Sequence, residues 1–126
     1  MDPTGRPCAD LEADLGGKPG AVGEPRDHGV VIYKVMGKMF AILTRHRVQN
    51  VILKCDPHLA EVLRGQYAGV GHRSHLDQRF WISVSLDADV PAEEVERLAA
   101  HSYDLVRAGL TKKQKAELEA LSARAG

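Results

Sequence analysis

The sheet is decided by residues 30–43, which read Val30-Val31-Ile32-Tyr33-Lys34-Val35-Met36-Gly37-Lys38-Met39-Phe40-Ala41-Ile42-Leu43. Two β-rich runs flank the pair Met36-Gly37, and a short Gly-containing connection between such runs predicts a β-hairpin. A third apolar run, at 50–55, follows a polar connection and can return against the second strand. The sequence therefore predicts an antiparallel meander of three strands.

A further strand is predicted by alternation along residues 80–86, because a period of two is typical of a half-buried strand. One set of alternating residues is apolar and is expected to be buried between sheet and helices: Phe80, Ile82, Val84 and Leu86. The opposite face is then expected to carry Trp81, Ser83 and Ser85.

Helix start signals occupy three places in the second half of the chain. Asp56-Pro57 begins one helix, because Asp56 can cap first-turn amides and Pro57 has no amide that needs a partner. Asp89-Val90-Pro91 begins a longer helix that Gly109 ends, and residues 111–114 have the form of a capping box. The residues expected to face the core include Leu59, Val62, Leu63, Val95, Leu98, Ala99, Leu105, Val106, Leu118 and Leu121.

The beginning of the chain has a different composition. Residues 1–29 hold four of the six prolines and are rich in glycine, which favours loop around one short helix, from Ala9 to Leu15. We therefore expect an N-terminal segment, 1–29, followed by a single α+β domain, 30–126, with one domain overall. An antiparallel sheet packed by helices is predicted, in the order α-β-β-β-α-β-β-α-α.

The totals exclude several classes of protein. A chain of 126 residues suits one core, and no apolar run approaches the roughly 20 residues of a membrane-spanning helix. The polar N-terminus resembles neither a secretory nor a transit peptide, so a cytoplasmic location without a membrane partner is expected. Cys8 and Cys55 lack the spacing of a zinc or redox site, and Cys55 is interpreted as a small buried hydrophobe, with a reactive thiol as the alternative.

No set of residues has the spacing of an active site. Both the phosphate-loop signature and the dinucleotide fingerprint are absent, and no Ser/His/Asp set is diagnostic. The pair His72 and His75 has basic neighbours, which disfavours a metal ion. Solvated carboxylates at a helix N-terminus are favoured over a hard-cation site for Asp87, Asp89, Glu93, Glu94 and Glu96. We predict no catalytic residue, metal site or cofactor, and an enzyme is the least favoured class.

Charge is distributed unevenly along the chain. Residues 30–85 carry eight bases and three acids, 1–29 carry three bases and six acids, and 86–126 carry six bases and eight acids. The net charge of zero therefore hides a −3/+5/−2 pattern. Such an asymmetry favours a polyanionic partner for the central segment.

Trp81 is the main candidate for contact with such a partner. If its face of the sheet is open, Trp81 combines a stacking surface with the cations Arg79 and Lys54, as in nucleic-acid binding. The alternative is that another element covers Trp81. Arg45-His46-Arg47 can likewise reach phosphates from a hairpin tip, or it is simply a solvated turn.

Over roughly Pro19 to Leu118 the chain resembles the MmcQ/YjbR family of small bacterial cytoplasmic proteins. The resemblance depends on four blocks in the right order: residues 33–41 (YKVMGKMFA), residues 53–57 (LKCDP), His75-Leu76 with Arg79 and Trp81, and residues 101–106 (HSYDLV). Asp77 and Gln78 stand where the family usually has an amide and a lysine, which lowers the local positive charge.

The resemblance implies a compact fold similar to that of bacterial frataxin, and a DNA-binding function attributed to a double-wing arrangement. The iron chemistry of frataxin uses an acidic helix and strand edge, which the mildly acidic N-terminal region does not reproduce. We therefore predict a binding protein with DNA as the leading partner. The predicted contact residues are Arg45, Arg47, Lys54, Arg73, His75 and Arg79, with Trp81 for stacking. A protein- or small-molecule-binding module is the alternative, favoured if Trp81 lines a closed pocket.

Overall fold

The hairpin at Met36-Gly37 joins two neighbouring strands of the sheet in the computed structural model, which describes residues 7–45, 49–72 and 76–125. Strand β2 (Val30–Val35) and strand β3 (Lys38–Thr44) pair antiparallel around it. Met36 and Gly37 both have positive φ, 49° and 80°, as a two-residue turn of type I′ requires. The predicted hairpin is confirmed.

The described residues form an α+β arrangement with one antiparallel sheet of six strands. The remaining elements are α1 (Pro7–Gly16), β1 (Ala21–Arg26), β4 (Asn50–Lys54), α2 (Pro57–Gln66), β5 (Val70–Gly71), β6 (Trp81–Ser85), α3 (Ala92–Ala108) and α4 (Lys112–Ala125), with one turn of 3-10 helix (Asp27–Gly29) between β1 and β2. The strand order across the sheet is β1-β2-β3-β4-β6-β5. The predicted class, an antiparallel sheet packed by helices, is confirmed.

The predicted order of elements is wrong in one place, since it lacked β1. Gly23 and Pro25 suppress the strand signal, yet β1 pairs with β2 along its whole length. Pro25 is tolerated because β1 is an edge strand, where a missing amide leaves no ladder bond unmade. Gly23 lies opposite Tyr33, whose ring would be 3.0 Å from an added Cβ, so the ring covers the glycine.

All the helices contribute buried side chains to the core on one face of the sheet. Leu15 of α1, Leu63 of α2 and Leu118 of α4 join the same cluster as Val51 and Leu53 of β4. From α3, Ser102 Oγ accepts a hydrogen bond from Lys54 N (2.9 Å) and donates one to Phe40 O (2.6 Å). This buried serine ties α3 to β3 and β4 at the point where the β2–β3 register shifts.

The helix signals are confirmed in part. Asp56 accepts from the amides of His58 and Leu59, and Thr111 and Gln114 bond reciprocally as a capping box. Two predicted core positions are wrong: Val62 is 48% exposed and Leu121 is 46% exposed. No helix in the described residues is both long and apolar enough to cross a membrane.

The alternation along β6 is confirmed except at its start. Ile82, Val84 and Leu86 are buried as predicted, whereas Phe80 is 39% exposed. Phe80 precedes the strand and belongs to a turn in which its amide donates to Asp77 O. Ser83 lies on the opposite face, paired with Ile52.

Candidate functional site

The face of the sheet opposite the helices carries the candidate site, and we call it the open face. Ile32, Ile42, Ile52 and Ser83 form a continuous row across it, each paired with the next. Ile52 and Ser83 are buried, at 8% and 3% exposed, and Ile52 lies outside the core cluster, whereas Ile32 and Ile42 are partly exposed. The buried apolar side chains of the helices belong to the cluster on the other face.

Trp81 and Lys54 lie at one end of the open face as direct cross-strand partners. Residues opposite one another on neighbouring strands have Cβ atoms about 5 Å apart, so the indole and the lysine stem are neighbours. Both side chains are partly exposed. The predicted combination of an aromatic ring and a cation on one face is therefore present.

The described arginines among the predicted contact residues are engaged with carboxylates. Arg45 Nη1 lies 2.6 Å from Glu12 Oε1 of α1, and Arg79 Nη2 lies 2.7 Å from Asp77 Oδ2. The Arg79 guanidinium lowers the pKa of Asp77 to about 2, so this carboxylate stays ionised at neutral pH. Each pair offsets positive charge that a phosphate would otherwise meet. Arg47, Arg73 and His75 lie outside the described residues.

Arg64 is a residue whose role sequence reasoning missed. From α2, its Nη2 donates to Gln78 O (2.5 Å) and to Trp81 O (3.0 Å). A basic residue in the last turn of a helix gives no sign that it will bond a strand 17 residues away.

The other candidate groups have structural roles in the described part of the chain. Burial raises the pKa of the Cys55 thiol to about 11, so Cys55 is a protonated core residue, as interpreted from the sequence. Asp89 accepts from the amides of Ala68 (2.8 Å) and Gly69 (2.7 Å) instead of capping α3. Glu93 and Glu96 are exposed, and the described residues contain no group of three or more His, Cys, Asp or Glu suited to a metal ion.

A cleft of about 260 Å³ lies elsewhere, between α3 and α4. Its lining consists of Asp104, Arg107, Ala108, Lys115 and Glu119. Trp81 is not among these residues. A small-molecule-binding module is the alternative if Trp81 lines a closed pocket, and Trp81 does not line this cleft.

Comparison with known proteins places these features in a family. The model of the YjbR family matches residues 17–105, a range that includes all six strands. The protein named "Uncharacterized protein YjbR" from Escherichia coli strain K12 is 37% identical over 73 residues, and so is its namesake from Escherichia coli O157:H7. The match covers 56% of this chain and 60% of each relative's length.

Solved structures share the fold. The crystal structure of Deinococcus radiodurans protein DR2400, with the family-model domain DUF419, superposes with a TM-score of 0.78 at 30% identity and 90% coverage of both chains. A crystal structure of a Pseudomonas syringae protein has a TM-score of 0.64 at 21% identity, covering 83% of this chain and 98% of the other. At that identity the second likeness concerns the fold alone.

Proposed function

The chain belongs to the YjbR family, and we propose that it is a binding protein whose open face takes up a single nucleic-acid strand. The observation that carries this proposal is the cross-strand pair Trp81 and Lys54, both partly exposed, on the face opposite the core cluster. A base can stack on the indole while the lysine contacts the adjoining phosphate. Open antiparallel sheets with an aromatic ring recognise single strands in this way. The bases of a single strand are unpaired, so they can turn away from their neighbours and stack on the ring.

A single strand fits better than a duplex for a second reason. Duplex binding depends on many cations along the phosphate backbone, and the described arginines Arg45 and Arg79 each bond a carboxylate of this chain. Stacking is independent of such cations. Trp81 therefore supplies more of the binding free energy than the phosphates do.

The test is fluorescence anisotropy with labelled single- and double-stranded oligonucleotides at several salt concentrations. Trp81→Ala is expected to weaken single-strand binding by about 1–3 kcal/mol and to affect duplex binding less. Lys54→Ala is expected to reduce the log–log salt slope by about 0.7, which is one phosphate contact on a single strand. Ser85→Ala, on the same face, is the control and is expected to bind as the unaltered chain does.

The affinity at low salt decides whether the open face binds nucleic acid at all. Binding no tighter than about 100 μM at low salt, the weak end of non-specific association, would contradict the proposal. The row Ile32, Ile42 and Ile52 then favours a protein partner instead, since an apolar centre with a polar rim is the usual anatomy of a protein interface.

A further inference from the structure

Within the described residues, β5 pairs with only part of the outer side of the strand that carries Trp81. Strand β5 has two residues, which pair with Val84 and Ser83, and none lies opposite Trp81. On the inner side, the amide of Cys55 donates to Phe80 O (2.7 Å). Because successive carbonyls along a strand point to opposite sides, Trp81 O points outward, beyond the end of β5.

Arg64 occupies this position. Its Nη2 donates to the outward carbonyl of Trp81 and to the carbonyl of Gln78 in the preceding turn. Such charge-assisted hydrogen bonds are stronger than bonds between neutral groups. The side chain starts from a fixed point, because its neighbours Ala60 and Leu63 on α2 are buried in the core.

The same guanidinium also holds the turn that leads into the strand. The amides of Phe80 and Trp81 both donate to Asp77 O at 3.0 Å, which closes the turn over residues 77–81. Arg64 bonds one carbonyl inside this turn and one at its end. The backbone of Trp81 is thus fixed by the turn through its amide and by α2 through its carbonyl.

We propose that Arg64 is a positioning residue that fixes Trp81 on the open face through these two carbonyl bonds. The proposal rests on the proposed function as far as ligand binding is concerned, but its structural part does not. Arg64 acts through the backbone of β6 and needs no contact with the ligand. Its guanidinium is therefore occupied within the protein and is not one of the phosphate-binding cations.

Trp81 provides the readout, because it is the only tryptophan of the chain. Arg64→Ala is expected to increase acrylamide quenching of the tryptophan fluorescence and to lower its steady-state anisotropy, since the indole gains freedom. Single-strand affinity is expected to fall about fivefold, the lower end of what one lost stacking contact costs. Arg97→Ala, an exposed arginine on α3, is the matched control and is expected to change neither quantity.

The positioning role of Arg64 and the stacking role of Trp81 can fail independently. A folded Arg64→Ala variant with unchanged quenching and anisotropy would overturn the positioning role, whatever it binds. If circular dichroism shows that Arg64→Ala is unfolded, Arg64→Gln decides by the same two measurements, because its shorter amide cannot reach both carbonyls. If Trp81→Ala binds oligonucleotides as tightly as the unaltered chain, stacking is refuted, and the quenching data still decide the role of Arg64.

Discussion

At the scale of single residues, the ion pair of Asp77 and Arg79 decides how much positive charge the turn before β6 offers. Arg79 bonds both carboxylate oxygens, and its backbone amide also donates to Asp77 Oδ1. An asparagine at position 77 can keep the bond to the amide but loses the charge. Asparagine is also an amide, the type of residue that the family resembled by this chain usually has at this position.

Asp77→Asn is therefore expected to strengthen oligonucleotide binding, because Arg79 is released to contact a phosphate. The salt slope should steepen by about 0.7 on a single strand, which corresponds to one added contact. Fluorescence anisotropy at four or more salt concentrations measures this slope. Asp104→Asn, exposed on α3, is the control, and an unchanged slope in Asp77→Asn would show that Arg79 does not reach the ligand.

At the scale of the elements, Asp89 joins the β6–α3 connection to the residues before β5. Two backbone hydrogen bonds, from Ala68 and Gly69, lower the pKa of Asp89 below its ordinary value of 3.8. These two hydrogen bonds form only in the folded state, and the ionised carboxylate accepts them more strongly than the protonated one does. Its contribution to stability is therefore present above about pH 3.8 and is lost as the pH falls through the lower pKa of the folded state.

Asp89→Ala is expected to lower the melting temperature at pH 7, and the difference from the unaltered chain should narrow at pH 3. Thermal unfolding followed by circular dichroism at pH 7, 5 and 3 measures this difference. Asp87→Ala, exposed two residues earlier, is the control and should show little effect at any of these pH values. A gap that is as wide at pH 3 as at pH 7 would contradict the assignment.

Local signals account for the elements that the sequence predicted correctly. The Met36-Gly37 turn, the Asp56 cap and the Thr111–Gln114 box each involve residues at most three apart, so the sequence alone contains them. Strand β1 depends instead on its partner β2. Likewise the face of Trp81 follows from alternation, whereas the engagement of Arg45 by Glu12 and of Trp81 by Arg64 is tertiary.

At the scale of the whole molecule, the segment before Val30 is packed into the rest of the fold. Leu11 and Leu15 of α1 are buried in the common core, and Tyr103 of α3 donates to Pro19 O (2.5 Å). Strand β1 extends the sheet beside β2. The composition of residues 1–29 predicted loop, because Gly and Pro report local preference and not the contacts that override it.

Leu15→Ala is expected to destabilise the protein by about 2–5 kcal/mol, the usual cost of truncating a fully buried leucine. Urea unfolding measures the loss as a lower midpoint with an unchanged slope. Val22→Ala, at a position 58% exposed in β1, is the matched control and should stay within about 0.5 kcal/mol. A loss below that value at Leu15 would mean that α1 does not unfold together with the sheet.

The distance along the chain between β4 and α3 matters during synthesis on the ribosome. Strands β1 to β4 pair in the order in which they are translated, so the nascent chain can form them as successive hairpins. Ser102 and its helix are made 48 residues after Lys54, which takes about 2–10 s at typical rates of elongation. For that interval the apolar side chains of β3 and β4 lack the cover of α3, although α1, made before the strands, can already pack on the meander.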